Sequence, residues 1–202
     1  MEGLKTGTTT LGIVCKDGVV IAADRRATAG HFIAGKDMEK AVQINENVAI
    51  TTAGSVSDIQ AFIKLLRAEL KLKSIKINRV ATIKEVANLS ARMAYDGIRQ
   101  YFPSMAHFLL AGYDKQGTHL YEVYPDGSLM EVKDFISSGS GSPYVFGILE
   151  NTYRENITIK EAEELAVKAI MASMQRDSAS GNGIDVMVIT KDSIKKTVQK
   201  KM

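Results

Sequence analysis

The sequence predicts an α+β fold: two antiparallel sheets, each covered by a helix pair, stacked as a four-layer αββα sandwich. Three observations lead there. Short apolar runs are separated by turn residues such as Asp17-Gly18 and Pro125-Asp126-Gly127. Two blocks of helical periodicity interrupt those runs. The resulting order of strands, two helices, strands, two helices, strands lacks the βαβα alternation of a parallel sheet.

The first quarter reads as antiparallel strands. Thr8–Cys15 and Gly18–Asp24 flank the Asp-Gly turn. Arg25–Glu39 is mixed and reads as irregular. Ala41–Ile44 and Val48–Ala53 are two further strands around Asn45-Glu46-Asn47. Ser55 with Asp58 three residues later has the form of a capping box, with Asp in the place of Glu or Gln. Ile59, Phe62, Ile63, Leu66 and Leu70 follow at helical spacing. Thr82 with Glu85 opens a second helix carrying Val86, Leu89 and Met93, and it ends before Pro103.

Strands return at His107–Tyr113, Thr118–Tyr124, Ser128–Val132 and Phe135–Ser138. Ser142 suits an N-cap and Pro143 a first helical position, so a helix is expected to about Asn151. Thr158 with Glu161 opens another, with Leu165, Ala166, Ala169 and Ile170 inward. Ile184–Thr190 is a strand, and the last residues suit an edge strand. No linker or internal repeat divides the chain, so its 202 residues form one domain.

Composition narrows the function. Hydrophobic residues make up 45% and charged residues 24%, the balance of a globular chain rather than a disordered one. The single cysteine, Cys15, leaves no intramolecular disulfide or CxxC site and fits a reducing compartment. No apolar run approaches the ~18 residues of a membrane span, and residues 1–7 have no apolar core of a secretory signal. Five lysines (191, 195, 196, 200 and 201) crowd the C-terminus, but without aromatic residues among them, and the chain has no Trp. Nucleic-acid binding is not expected.

Several familiar chemistries are missing. No partner is evident for His31, His107 or His119. The sequence has no G-x-S-x-G, no H-E-x-x-H and no G-x-x-x-x-G-K-[ST]. Ser137–Ser142 precedes a helix and suits an anion, but it lacks the Lys and the spacing of a nucleotide loop. What remains is small polar residues beside glycines: Gly7-Thr8-Thr9-Thr10, Gly54, Ser140, and the run from Arg176 to Gly181. Taken singly, each is explained equally well as a strand start, a turn or a helix end.

Taken together, they resemble the β subunits of the proteasome core particle, most nearly the archaeal type. The resemblance spans essentially the whole chain. It is carried by Thr6-Gly7-Thr8-Thr9-Thr10-Leu11-Gly12, Asp24-Arg25-Arg26-Ala27-Thr28, Lys40 and Thr51-Thr52-Ala53-Gly54. Ser138-Gly139-Ser140-Gly141-Ser142-Pro143 and Gln175-Arg176-Asp177-Ser178-Ala179-Ser180-Gly181 complete it. The specificity lies in their joint order and separation.

The resemblance implies an N-terminal nucleophile hydrolase. Residues 1–7 become a propeptide, cleaved between Gly7 and Thr8, and residues 8–202 the mature domain. Removing the propeptide takes away one Glu and one Lys, so net charge is unchanged. Thr8 becomes the nucleophile, with its own α-amine as base. An α-amine titrates near ~7.7–8.0, close to working pH, whereas the amide of the uncleaved chain is no base. Lys40 becomes an ammonium beside Thr8, Asp24 its counter-charge, and Gly54 the oxyanion donor through its N–H. Ser140, Asp177 and Ser180 surround the terminal amine.

The implied primary pocket is Ala27, Met38, Val42, Thr52 and Val56, uncharged and mostly apolar, so apolar residues are expected on the acyl side of the cut. Thr28 matches the position whose backbone pairs with an extended substrate. No metal or organic cofactor is implied. The implied partners are α subunits and other β subunits in stacked heptameric rings, an ATP-driven unfoldase, and unfolded protein as substrate, in the cytoplasm. Two other readings remain: an unprocessed structural β subunit of a mixed ring, and the simpler bacterial proteasome-like peptidase. The seven-residue lead before Thr8 disfavours the latter.

Overall fold

A computed structural model describes residues 7–201, with side chains to residue 197. The expected propeptide residues 1–6 lie outside the described residues, as do the side chains of Lys200 and Lys201. Strands β1 (Thr10–Cys15), β2 (Gly18–Asp24), β3 (Ala27–Ala29), β4 (Phe32–Gly35), β5 (Ala41–Gln43) and β6 (Val48–Gly54) come first. Helices α1 (Val56–Ile77) and α2 (Ile83–Ile98) follow, then β7 (Ala106–Asp114), β8 (Gly117–Val123), β9 (Leu129–Val132) and β10 (Phe135–Ser138). Helices α3 (Ser142–Thr152) and α4 (Ile159–Met174) and strands β11 (Gly183–Ile189) and β12 (Ile194–Lys201) complete the order.

The strands form two five-stranded sheets, β10-β1-β2-β11-β12 and β5-β6-β7-β8-β9, plus the β3-β4 hairpin. Every pairing described is antiparallel. Strand β2 shows why the sheets stack. Its Val20 and Ala22 pack with α3 and α4, while Val19, Ile21 and Ala23 meet Ala49, Ala111 and Leu120 of the other sheet. With both faces covered, the strand carries the unbroken apolar run GVVIAA before Asp24. Helices α1 and α2 cover the outer face of the second sheet through Ile59, Leu66, Ile83 and Val86. The architecture is the αββα sandwich expected from the sequence.

Three local expectations need correction. Residues 25–39 contain the β3-β4 hairpin, whose Phe32 is 72% exposed; with no core beneath it, the hairpin leaves no alternation of burial to read. Ser55 is the N-cap of α1 but makes no capping hydrogen bond. Its hydroxyl pairs with Ser57, and Asp58 accepts the N–H of Met105 instead. Helix α3 is capped by Gly141, so Ser142 is its first residue and Pro143 lies in its first turn. The boxes at Thr82-Glu85 and Thr158-Glu161 form with both reciprocal bonds.

Antiparallel pairing also decides where chemistry can gather. The start of β1 lies beside the end of β2 (Thr10 opposite Ala23) and the end of β10 (Thr10 opposite Ser138). The start of β11 joins them, with Ile184 opposite Asp24. In the second sheet the start of β5 lies beside β6, with Ala41 opposite Thr51. Residues far apart in sequence are therefore brought to one end of the sandwich.

Candidate active site

Thr8 immediately precedes β1 and is 5% exposed. Its Oγ1 donates to the Gly7 carbonyl at 2.7 Å, and its N–H donates to Ser140 Oγ at 3.2 Å. The Gly7 N–H donates to Thr28 Oγ1 at 2.9 Å. A Cβ on Gly7 would lie 1.7 Å from Ala179 Cβ, so a larger residue here forces the chain apart.

Asp24, at the end of β2, is fully buried and accepts four hydrogen bonds. Its Oδ1 takes the Thr9 N–H at 3.0 Å and Lys40 Nζ at 2.7 Å. Its Oδ2 takes the N–H groups of Arg26 at 2.9 Å and Gly181 at 3.0 Å. These four donors satisfy both carboxylate oxygens, so the buried group is left with no unpaired oxygen. Lys40 Nζ also reaches the Gly7 carbonyl at 3.4 Å. Burial pushes the Lys40 ammonium below the ordinary lysine range, against the opposing pull of Asp24.

The segment after α4 closes the site. Asp177 Oδ2 accepts from Ser140 Oγ at 2.7 Å and Ser180 Oγ at 2.6 Å. Ser180 Oγ is 2.6 Å from Thr9 Oγ1, which is 2.5 Å from Ser173 Oγ on α4. Arg26 fixes this segment by donating to Ser178 O and Asn182 Oδ1. Gly54 ends β6 at φ +124°, and a Cβ there would lie 2.0 Å from the Met105 carbonyl oxygen. Only glycine combines that backbone with that approach.

A small pocket of about 30 Å³ opens beside Thr8, with Gly7 in its wall. Ala27, Thr28, Met38, Thr52 and Val56 line it. Among the described residues, no cluster of three or more His, Cys, Asp or Glu side chains could hold a metal ion. Among them, too, no helix is long and apolar enough to cross a membrane.

Residues 4–189 match the family described as Proteasome subunit. The chain belongs to the proteasome subunit family. A relative named proteasome subunit beta, from Ferroglobus placidus, is 46% identical over 91% of this chain and 87% of its own. Its namesake from Methanosarcina mazei is 45% identical over 94% of this chain and 90% of its own. That from Archaeoglobus fulgidus is 44% identical over 95% and 89%.

In this proteasome-family chain, Gly7, Thr8, Asp24, Lys40, Ser140, Asp177 and Ser180 are joined by direct hydrogen bonds, and Gly54 shares the pocket with Thr8. Five of the six expected substrate contacts line that pocket. Val42 does not; it packs against the core beneath α1 and α2.

Sequence reasoning missed Thr9 and Ser173, although the Thr run and a serine on the apolar face of α4 were visible signals. It also missed Arg25, which is 4% exposed and bonds Asp185 of β11 and Asp37. The Arg25 carbonyl accepts the Met38 N–H at 2.9 Å, which anchors the segment leading to Lys40. His107 and His119, expected to lack partners, face Glu122 and Asp114 respectively. Cys15 is buried, and burial pushes its thiol up to about 12, so it stays protonated and unreactive.

Proposed function

We propose that the chain is the catalytic β subunit of a proteasome core particle: a threonine endopeptidase that hydrolyses unfolded polypeptide. The observation that carries this reading is the convergence on one carbonyl. Thr8 Oγ1 and Lys40 Nζ both contact the Gly7 oxygen, at 2.7 and 3.4 Å, with Asp24 behind the lysine.

In maturation, Thr8 Oγ1 attacks the Gly7 carbonyl carbon as its proton is withdrawn. The C–N bond to Thr8 breaks, and the proton passes to the departing nitrogen. An ester between Gly7 and the Thr8 oxygen results, and water hydrolyses it. Residues 1–7 leave with a new carboxylate, and Thr8 gains a free α-amine. That amine is a base the amide could not be.

In turnover the amine takes the Oγ1 proton, the oxygen attacks a peptide carbonyl, and the proton goes to the leaving amine. Water then releases the acyl group. The Lys40 charge favours the deprotonated hydroxyl and neutral amine, and the Gly54 N–H serves the oxyanion. Ala27, Met38, Thr52 and Val56 accept an apolar side chain. The working assembly is stacked heptameric β rings with α rings and an ATP-driven unfoldase, in the cytoplasm.

The test is the intact mass of the chain after co-assembly with its α subunit. A mass lacking residues 1–7, with peptidase activity, is expected. A full-length mass in an inactive assembled particle overturns the reading in favour of a structural β subunit.

A further inference from the structure

A groove of about 860 Å³ has Gly54 in its wall, and its lining residues can be taken as two arms. One arm is bounded by Ala27 and Thr28, where the Gly7 N–H donates to Thr28 Oγ1. The other is bounded by Met105, His107 and Pro125. Gly7 lies on the acyl side of the bond that Thr8 opens, so the Thr28 arm takes acyl-side residues. The arm at His107 remains for residues on the leaving-amine side.

His107 stands opposite Ala53, one residue before Gly54. The pair shares the face on which Ala49 and Ala111 pack between the sheets. His107 Nε2 lies 2.9 Å from Glu122 Oε1, and Tyr124 donates to Glu122 Oε2 at 2.7 Å. The Tyr124 ring stacks on the imidazole with centroids 4.9 Å apart. Glu122 is only 2% exposed. With Glu122 Oε1 as acceptor, Nε2 is the donor of this contact and Nδ1 is the ring nitrogen left over. Nδ1 makes no hydrogen bond among the described residues. The imidazole is locked by a carboxylate on one nitrogen and an aromatic ring beside it, which leaves one ring nitrogen over in a residue that lines the groove.

We propose that His107 is a specificity-determining residue of the leaving side, and that Nδ1 selects hydroxyl or carboxamide side chains (Ser, Thr, Asn, Gln) just after the cut. Those groups both donate and accept, so they pair with the nitrogen whether or not it is protonated. Ser55, Ser57 and Asp58 also line the groove, but they bond one another and the Met105 N–H; a fixed polar group such as Nδ1 discriminates because a mismatched partner leaves it desolvated and unpaired. Glu122 acts through His107 and is a positioning residue. The proposal rests on the reading of Thr8 as nucleophile.

The experiment is a digest of denatured casein by the assembled particle, with every cut mapped by mass spectrometry. The acyl-side residues serve as the reference within each digest. In the wild type, Ser, Thr, Asn and Gln are expected to be enriched at the first two leaving-side positions over their abundance in casein. In His107→Ala that enrichment falls at least threefold while the acyl-side distribution holds. His107→Gln, whose carboxamide still bonds Glu122 and offers a polar atom, keeps most of it. An unchanged leaving-side distribution in His107→Ala, or in His107→Phe should the alanine variant not assemble, overturns the proposal. Cutting that persists in Thr8→Ala overturns the underlying reading instead, so the two failures are distinguishable.

Discussion

Lys40 Nζ and Asp24 Oδ1 lie 2.7 Å apart in the buried end of the sandwich, and the two residues depend on each other unequally. Asp24 keeps three backbone N–H donors without Lys40. Among the described residues, Lys40 without Asp24 keeps one hydrogen-bond partner, the Gly7 carbonyl at 3.4 Å. Removing one partner of a buried pair costs about 3–5 kcal/mol when the survivor is uncompensated. Asp24→Ala should therefore cost about that much in urea unfolding. Lys40→Met should cost less than about 2 kcal/mol, because the carboxylate remains solvated by the backbone. Lys40→Met should nonetheless nearly abolish peptidase turnover. Equal destabilisation by the two variants would show that the backbone donors do not hold Asp24.

Thr8→Ala removes the attacking oxygen and leaves the backbone bonds around residue 8 in place. Its mass in the assembled particle should stay full-length, its peptidase activity should vanish, and its unfolding midpoint should stay near wild type. Thr8→Ser retains an oxygen and an N-terminal amine, so it should process and turn over. An active Thr8→Ala variant removes Thr8 from the chemistry.

Glu85 links pH to the stability of α2. The Arg79 guanidinium, and then the Thr82 N–H, hold its carboxyl down at about 2. A depressed folded-state pKa gives stability that is fully present above the unfolded value near ~4.3 and is lost as pH falls towards about 2. The side chain is 30% exposed, so solvent screening keeps the ionic part under about 1 kcal/mol. The gap in urea midpoint between wild type and Glu85→Gln should be constant from pH 7 to 5.5 and shrink towards pH 3. A gap independent of pH would assign the effect to packing.

Much of this was legible because local signals agreed with the global fold. The capping boxes at Thr82 and Thr158 mark helix starts by themselves, and β2 reads as buried from its apolar run alone. Ser55-Asp58 failed because tertiary contact outbid the local bond: the Met105 N–H, far along the chain, takes the Asp58 carboxylate. The candidate site could be read only as a joint pattern, since no short string brings Thr8, Lys40 and Asp177 together; the fold brings them to one end of the sandwich. Arg25 and Glu122 were invisible for the same reason. Arg25 stands in a stretch that reads as irregular and Glu122 in one that reads as a strand, and only their partners Asp185 and His107 give them meaning.

Gly54→Ala tests the tightest backbone approach near the site. At φ +124° an L side chain is strained, and its Cβ would lie 2.0 Å from the Met105 carbonyl oxygen, which the Ser55 N–H holds at the end of the β6-β7 pairing. Strain of this kind costs about 1–3 kcal/mol before any clash is relieved. Relief must move β6 against β7 and shift the Gly54 N–H within the pocket that it shares with Thr8. The variant should lose at least that much stability, and any that assembles should show lower kcat with little change in KM. Wild-type kcat would remove Gly54 from oxyanion stabilisation.

Asp177 gives direction to the hydroxyls around the Thr8 nitrogen. Its Oδ2 only accepts, so Ser140 and Ser180 both donate to it, at 2.7 and 2.6 Å. Their lone pairs are then free to accept: Ser140 from the Thr8 nitrogen at 3.2 Å, Ser180 from Thr9 at 2.6 Å. Thr9, committed as a donor, accepts from Ser173. Asp177→Asn keeps the shape and breaks this order in either orientation of the amide. With its oxygen towards the serines, the NH₂ group faces the Ala179 N–H that Oδ1 now accepts at 3.1 Å. With the NH₂ towards the serines, both hydroxyls must turn and donate elsewhere, Ser140 towards the Thr8 carbonyl at 3.4 Å, so the lone pair it turns to the amine is no longer held in place. The fold should survive at a cost of about 1–3 kcal/mol. Loss of an oriented proton path should lower kcat about 100-fold with KM nearly unchanged. Ser140→Ala should show the same split, because it removes the same link. A rise in KM with kcat intact would instead place Asp177 in substrate binding.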